Sequence, residues 1–272
     1  MIMQDVNNIP MNNKFAVVII SCDAYKDAWN TFLLCFEKFW PNFSGRKYFI
    51  TNTENIKDSD FIVIKTGEEK SWSAKVRTAL KSIDEQFLIV LLEDYFLCKK
   101  VFDADIFKAE NFVLDKNADY LCLMPYKYMI RYDSNYSLIS SKNLYGKILQ
   151  PSIWKKTYLE SCLFDDDFSA WEFERRQKKS SVLRIAGKDY CTKKKVLGFK
   201  NGILQGKWYG PSVKHIKKIG INVDTKYRAF LPRFEIFKRR IKLFAQAVFP
   251  SCFLKIMKRI LSKIGFKFVT KD

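Results

Sequence analysis

The 272-residue sequence predicts an α/β fold in which a mixed, mainly parallel sheet is flanked by helices. From Phe15 to about residue 125, short apolar runs alternate with segments whose apolar residues recur at helical spacing. Hydrophobic residues make up 48% of the chain, which is enough for a substantial core. In sheets built from such βαβ units, ligands bind at the carboxyl ends of the strands.

The predicted elements of the first half follow in regular order. Strands are predicted at Phe15–Ser21, Lys47–Thr51, Phe61–Lys65, Phe87–Leu92 and Tyr120–Met124. Helices are predicted at Asp23–Trp40, Ser71–Asp84 and Asp103–Lys116, the second with Ser71 as its N-cap.

The pattern changes in the second half. Lys127–Ser140 alternates tyrosines with polar residues and predicts a hairpin. Pro151 is expected to open a helix that runs through Leu159, and Ser169–Lys179 predicts a second short helix. Residues 193–210 contain several glycines and predict short strands and loops.

The C-terminal segment predicts a basic helical appendage. Two helices, Arg233–Val248 and Phe253–Ile264, are expected after Pro232, and the second has apolar residues on one face and basic residues on the other. We therefore expect a catalytic-type domain at residues 1–232 and a tail at 233–272 that docks on an anionic membrane surface. A helix pair packed on the protein's own core is the alternative.

Composition and charge indicate the cellular compartment and the class of partner. The seven cysteines form no C-x-x-C pair, which fits a reducing cytosol. No signal-peptide pattern is present and no apolar run reaches the ~20 residues of a membrane span, so we expect a cytoplasmic protein, peripherally bound to the inner face of the membrane. The net charge of +19 also fits a basic nucleic-acid- or membrane-binding protein without catalytic activity. No helix-turn-helix, RNP segment or zinc finger is present, so no nucleic-acid partner is expected.

Two acids, Glu93 and Asp94, directly follow the most apolar strand of the chain. They are expected at the sheet edge, where an ionised carboxylate must be solvated, paired or bound to metal. Phosphates bridged through a divalent cation suit such a pair. An ordinary strand end with solvated or helix-capping acids is the alternative.

Several short motifs occur in a characteristic order. They are FAVVIIS with the turn Cys22-Asp23-Ala24-Tyr25, FITN, the Gly67…Ser71-Trp72-Ser73…Arg77 helix, FLIVLLEDYFL, Q-P-S-I-W from Gln150, and W-E-F-E from Trp171. Together, over roughly residues 14–230, they resemble the GT-A-like glycosyltransferases of bacterial capsule and lipopolysaccharide biosynthesis. The resemblance implies a GT-A-like (Rossmann-like) fold. It also implies transfer of a sugar from a nucleotide-sugar donor, UDP by default, to a hydroxyl of a glycan or lipid-linked saccharide.

The resemblance also implies donor-binding residues, in which Glu93-Asp94 replaces the family's D-x-D motif. The residues expected to bind the donor are Cys22, Asp23, Tyr25, Arg77, Glu93, Asp94, Tyr95 and Lys207. A divalent metal (Mn²⁺ or Mg²⁺) is expected at Asp94 and His215, although E-D-Y in place of D-x-D leaves metal dependence open. Surface positions are the alternative for Arg77 and His215.

An inverting transfer needs a carboxylate that accepts the proton of the attacking hydroxyl, and two glutamates qualify. Glu172 and Glu174 lie two residues apart on a predicted helix, about 200° around its axis, so that only one faces the cleft. The resemblance favours Glu174. Acids that merely stabilise the helix N-terminus are the alternative.

Aromatic residues add two further candidates. The glycine-rich segment Gly202–Gly210, with Lys207, Trp208 and Tyr209, suits a pyrophosphate and a sugar ring. A second set either lines an acceptor groove or forms cross-strand pairs in a hairpin. Its members are Tyr126, Tyr128, Tyr132, Tyr136, Tyr145, Trp154 and Tyr158.

Overall fold

The computed structural model describes residues 14–68, 71–126, 129–140, 146–178, 181 and 184–248, with side chains up to residue 241. Its strands are β1 Phe15–Ile20, β2 Arg46–Thr51, β3 Ile62–Lys65, β4 Phe87–Leu92, β5 Tyr95–Leu97, β6 Tyr120–Cys122, β7 Ile130–Arg131, β8 Tyr136–Leu138, β9 Ser152–Lys155, β10 Asp189–Thr192, β11 Phe199–Asn201, β12 Ile203–Leu204 and β13 Lys207–Trp208. Its helices are α1 Lys26–Phe39, α2 Trp72–Leu80, α3 Asp103–Lys116, α4 Lys156–Leu163, α5 Ala170–Arg176, α6 Gly210–Lys218 and α7 Arg233–Val248.

A nine-stranded mixed sheet of order β3-β2-β1-β4-β9-β6-β10-β8-β7 organises the fold, which confirms the predicted α/β class. β3, β2, β1 and β4 are parallel neighbours, whereas β9 runs antiparallel to β4 and β6. β1 is buried on both faces because helices cover the sheet on both sides. Alternate β1 residues enter two separate cores, one that includes α1 and one that includes α2.

The sequence predicts several elements to the residue or nearly so. β4, α3 and α7 have the predicted bounds, and the Ser71 hydroxyl accepts the Ala74 N–H at 3.0 Å as the predicted N-cap of α2. α2 ends at Leu80, earlier than predicted, because the next backbone hydrogen bonds tighten into three-residue turns up to Ile83. β7 and β8 form the predicted hairpin.

One prediction in the second half is wrong. The sequence predicts a helix that opens at Pro151, but Ser152–Lys155 is the central strand β9 and helix α4 begins only at Lys156. The Trp154 side chain is fully buried and its ring lies 4.4 Å from that of Tyr120. Burial of this short run on both faces of the sheet outweighs the preference of proline for a helix start.

α7 is present as predicted, whereas the predicted helix Phe253–Ile264 lies outside the described residues. The division into residues 1–232 and 233–272 stays a prediction. Within the described part of the chain, every helix is too short or too polar to cross a membrane.

Candidate active site

The carboxyl ends of the parallel strands meet at one edge of the sheet. Ile20 pairs with Leu92 at the last position of β1 and β4, so Ser21 and Glu93 continue side by side beyond the sheet. β2 ends next to β1, where the Ser21 N–H donates to the Ile50 carbonyl at 3.2 Å. This is the edge at which the sequence predicts ligand binding.

Asp23 ties the loops after β1 and β2 together. Its carboxylate accepts the backbone N–H groups of Asn52 at 2.9 Å, Thr53 at 3.0 Å and Glu54 at 3.2 Å, and the Thr53 hydroxyl at 2.7 Å. Burial alone would raise the pKa of Asp23, but these hydrogen bonds outweigh it and the pKa is lowered. Asp23 and the adjacent, half-buried Cys22 therefore lie at the predicted edge, with the Asp23 carboxylate bound to the β2 loop.

Glu93 and Asp94 form a pair of neighbouring acids directly after β4. Burial raises the pKa of Glu93 to about 8, and the charge of Asp94 adds to this shift. Burial likewise raises the pKa of Asp94 to about 7, although the Ile203 backbone N–H donates to its carboxylate. The pair therefore retains protons near neutral pH unless a cation replaces them.

Lys75 of α2 is a buried cation at the same edge. Its side chain is 4% exposed, and its ammonium donates to the Ser21 carbonyl at 2.8 Å. Its charge opposes the rise in the pKa of Glu93, which places it within electrostatic reach of the acid pair. Lys75 thus links α2 to the ends of β1 and β4.

Arg228 closes the edge from the C-terminal side. Its guanidinium donates to both carboxylate oxygens of Asp27, at 2.9 and 2.8 Å, and to the carbonyls of Ala24 and Gly206. It also lies 4.5 Å from the ring centroid of Tyr25. Burial, followed by the charge of Glu93, raises the pKa of Tyr25, so this tyrosine lies within electrostatic reach of the acids. We call Tyr25, Lys75, Glu93, Asp94 and Arg228 the sheet-edge site.

The two candidate glutamates of α5 point in different directions. Glu172 lies on the outer side, where it pairs with Arg175 at 3.0 Å and approaches Arg176 at 3.7 Å. Glu174 lies inward, and its Oε1 accepts the Leu149 N–H at 2.9 Å. Burial raises the pKa of Glu174.

Tyr95 connects Glu174 to the acid pair. Its hydroxyl donates to the Leu149 carbonyl at 2.9 Å, and the amide of this same residue binds Glu174. After burial, the charges of Asp94 and Glu174 are the next largest causes of the raised pKa of Tyr95. The structure therefore brings the Glu93–Asp94 pair and Glu174 within electrostatic reach of one buried phenol.

Arg77 lies apart from the sheet-edge site, on another face of α2. Its guanidinium donates to the carbonyls of Phe164 at 3.0 Å and Asp166 at 2.9 Å, and to the Asp167 carboxylate at 2.8 Å. In the structure this arginine fixes the loop between α4 and α5.

The glycine-rich segment forms the tight hairpin β12–β13. Lys207 is exposed on it, whereas Trp208 is fully buried against Phe96, so the expectation that Trp208 faces a sugar ring is wrong. The backbone approaches closely here, since a Cβ on Gly202 would come within 2.2 Å of the Phe96 ring. Packing of the hairpin on the core explains the glycine.

The predicted aromatic groove is largely core. Trp154 and Tyr158 are buried, and Tyr136 stacks on Phe112 at 3.7 Å between ring centroids. Tyr132 is exposed and Tyr126 half-buried, while Tyr128 and Tyr145 lie outside the described residues. The prediction that Trp154 and Tyr158 line an acceptor groove is therefore wrong, because both rings pack inside the core that includes α2.

His215 lies near the end of α6, and no described hydrogen bond or ion pair joins it to Asp94. In the described part of the chain, no group of three or more His, Cys, Asp and Glu side chains is arranged to hold a metal ion. The Glu93–Asp94 pair still fits a hard cation such as Mg²⁺, which proteins often hold through one or two carboxylates together with substrate phosphates.

Sequence reasoning missed Lys75 and Arg228. Lys75 carried a usable signal, because it shares the buried face of α2 with Val76 and Ala79. A lysine on an apolar helix face is expected to contact a buried acceptor or acid. Arg228 carried no comparable signal, since its partner Asp27 lies 201 positions away.

No protein-family model and no curated protein matches the sequence. Solved structures share parts of the fold at low identity. S. aureus TarS is 13% identical with a TM-score of 0.45, over 68% of this chain and 36% of TarS. The bifunctional IspDF from Campylobacter jejuni is 16% identical with a TM-score of 0.38, over 66% and 49%. HddC from Yersinia pseudotuberculosis is 12% identical with a TM-score of 0.43, over 75% and 99%.

This chain thus spans less than two thirds of the length of TarS and IspDF. TarS has been solved in complex with UDP-GlcNAc. At these identities and TM-scores, the similarity assigns neither a family nor a reaction to this chain.

Proposed function

We propose that the protein is a glycosyltransferase that binds a nucleotide-sugar at the sheet-edge site and uses Glu174 as the base of an inverting transfer. One observation carries the proposal. The buried Glu93 and the half-buried Asp94, at the carboxyl end of β4, are connected through Tyr95 and Leu149 to the half-buried Glu174.

The acid pair suits a donor diphosphate held through a divalent cation. Glu93 and Asp94 would hold such a cation in place of the protons they retain near neutral pH, and the cation would neutralise charge on the departing diphosphate. Tyr25 lies within electrostatic reach of the acids and against Arg228, and the ring face that Arg228 leaves uncovered would suit the base or ribose. Lys75 adds a fixed positive charge.

Glu174 suits the role of base because it is half-buried and held in one orientation. The Leu149 N–H holds its Oε1, so we assign proton transfer to Oε2. A raised pKa makes a carboxylate a better proton acceptor. Glu172 is bound by Arg175 and faces away from this region.

The acceptor class rests on the sequence motifs. We propose a hydroxyl of a glycan or lipid-linked saccharide in capsule or lipopolysaccharide synthesis, UDP as the donor base, and a cytoplasmic enzyme.

A thermal-shift screen tests donor binding. Purified protein is heated with UDP, GDP, CMP, dTDP and their sugars, each with and without Mn²⁺. A ligand at one hundred times its Kd stabilises the native state by about 2.7 kcal/mol, which raises the Tm. We expect one nucleotide or its sugar to raise the Tm, and Mn²⁺ to increase this shift.

Asp94→Asn should abolish this shift, whereas Asp115→Asn, an exposed acid on α3, should preserve it. Released nucleoside diphosphate would mark glycosyl transfer, and released pyrophosphate would mark nucleotidyl transfer instead. No shift with any nucleotide, together with salt-sensitive binding to RNA or DNA, would overturn the proposal.

A further inference from the structure

The first turns of α7 expose an unusual amount of apolar surface. Phe234, Phe237 and Ile241 are 64%, 59% and 51% exposed. In the segment that leads into the helix, Tyr227 and Phe230 are 82% and 47% exposed. Five large apolar side chains within fifteen residues form a patch of the kind that marks an interaction site.

The helix arranges these side chains as a stripe. At 100° per residue, Phe234, Phe237 and Ile241 fall within an arc of about 60°. Lys238 lies about 40° beyond one side of the arc, and Arg233 lies about 40° beyond the other. A narrow apolar stripe with cations on both borders is typical of helices that lie in the plane of a membrane surface.

The positive charge of this surface favours an anionic partner. Within the described part of the chain, Glu235 pairs with Lys238 at 3.0 Å, whereas no ion pair engages Arg233, Arg239 or Arg240. The helix therefore presents positive charge beside exposed aromatic rings. Anionic phospholipid complements both features, because lysine and arginine bind the headgroups while apolar side chains enter the acyl boundary.

The root of α7 is fixed beside the sheet-edge site. The Trp208 N–H donates to the Ala229 carbonyl and the Leu231 N–H donates to the Trp208 carbonyl, both at 2.9 Å. Arg228, in the same segment, closes the site through Asp27. A helix anchored here would hold the site close to whatever surface the helix binds.

We propose that α7, with Tyr227 and Phe230, is a docking surface for an anionic phospholipid bilayer. Phe234, Phe237 and Ile241 enter the interface and the flanking arginines bind lipid headgroups. Docking does not depend on the proposed reaction, and its test needs no donor.

Cosedimentation of the full chain with phosphatidylcholine vesicles, with and without phosphatidylglycerol, tests this surface. We expect binding to the anionic vesicles alone, weakened by salt. Phe234→Ser with Phe237→Ser should weaken it at least about tenfold, since two aromatic side chains lose their burial in the interface. The matched control is Phe102→Ser with Phe107→Ser, which changes two exposed rings, one directly before α3 and one on it.

A second pair of variants separates charge from apolar contact. Arg233→Gln with Arg240→Gln, which removes the two arginines on one border of the stripe, should weaken binding and reduce its salt dependence, whereas Lys57→Gln with Lys65→Gln should change neither. All variants should retain the wild-type Tm and the donor-induced shift, because each position is exposed.

Equal binding by the wild type and the Phe234→Ser, Phe237→Ser variant would overturn the proposal. Absence of vesicle binding, together with a dimer in sedimentation velocity that this variant loses, would assign the surface to a second copy of the chain instead.

Discussion

Charged groups are buried in two regions of the sheet. In one region opposite charges are paired, and in the other two like charges are neighbours. In the antiparallel half, the fully buried Lys147 donates to the Tyr158 hydroxyl at 2.9 Å, the Ile185 carbonyl at 2.7 Å and Asp189 at 3.4 Å. Tyr158 in turn donates to Asp189 at 3.0 Å. We call Lys147, Tyr158 and Asp189 the closed lysine cluster.

At the sheet-edge site, by contrast, two acids of the same sign lie side by side. Removing one partner of a buried, hydrogen-bonded ion pair is strongly destabilising, because the remaining charge is left buried and unpaired. Two buried like charges instead raise each other's free energy until a proton or a cation binds. The comparison favours a structural role for the closed lysine cluster, whereas under the proposed function a ligand would supply positive charge at Glu93–Asp94.

Lys147→Met should have the largest effect on stability. It leaves Asp189 buried without its cation, and breaking a buried pair costs about 3–5 kcal/mol. Urea denaturation measures the loss, with the exposed Lys57→Met as a control that should stay within about 0.5 kcal/mol. Where the variant folds, its donor-induced thermal shift should persist. A loss below 1 kcal/mol would show that the cluster does not hold the fold.

Lys75→Met should cost less stability and more ligand affinity. The Ser21 carbonyl loses a donor, which costs about 1–3 kcal/mol, while Glu93 compensates for the lost charge by keeping its proton. The Kd for the donor, measured by calorimetry, should rise at least about tenfold, the factor that corresponds to 1.4 kcal/mol. Lys147→Met is the matched control, and an unchanged Kd in Lys75→Met would remove Lys75 from the site.

Arg228→Lys should have a smaller effect, because it keeps the charge but loses the planar fork that binds both oxygens of Asp27. We expect a loss of about 1.5 kcal/mol, the lower end of the range for hydrogen bonds to a charged group. Hydrogen exchange should speed up in the β1–α1 and β12–β13 loops that Arg228 joins. Unchanged exchange there would mean that other contacts hold these loops.

The pH dependence of stability tests the raised pKa values of the acid pair. The folded-state pKa values of Glu93 and Asp94, about 8 and about 7, lie above their usual values of 4.5 and 3.8. The folded state therefore binds more protons, and stability falls as pH rises from about 5 to about 8. Glu93→Gln should flatten this slope in a Tm series, whereas the exposed Glu160→Gln should not. A slope that Glu93→Gln leaves intact would contradict the assigned pKa shift.

The sequence predicted the parallel half better than the antiparallel half. β4 and the Glu93–Asp94 turn follow from one continuous apolar run, because such a run is buried on both faces and must end at a polar edge. β9 was missed because its four residues lie between Pro151 and a helix, and their strand pairing with β4 and β6 is a long-range property.

The relative positions of candidate site residues were predictable where the residues lie on the same helix or strand. Helical spacing separates Glu172 from Glu174, and the structure shows them on different sides of α5. Helical spacing alone does not predict which neighbours these side chains meet: Arg77 contacts the α4–α5 loop, whereas Lys75, on the same helix, contacts the end of β1. Arg228 depends on packing between distant segments, which local patterns do not encode.

The central claim is that Glu174, which the Leu149 backbone links to Tyr95, is the base of a sugar transfer. Single-turnover transfer rates and donor affinities of Glu174→Gln and Glu172→Gln test it most directly. The account predicts a rate loss of about 10²- to 10⁴-fold for Glu174→Gln with unchanged donor affinity, and near wild-type rates for Glu172→Gln. Full turnover by Glu174→Gln, or a comparable loss in Glu172→Gln, would contradict it.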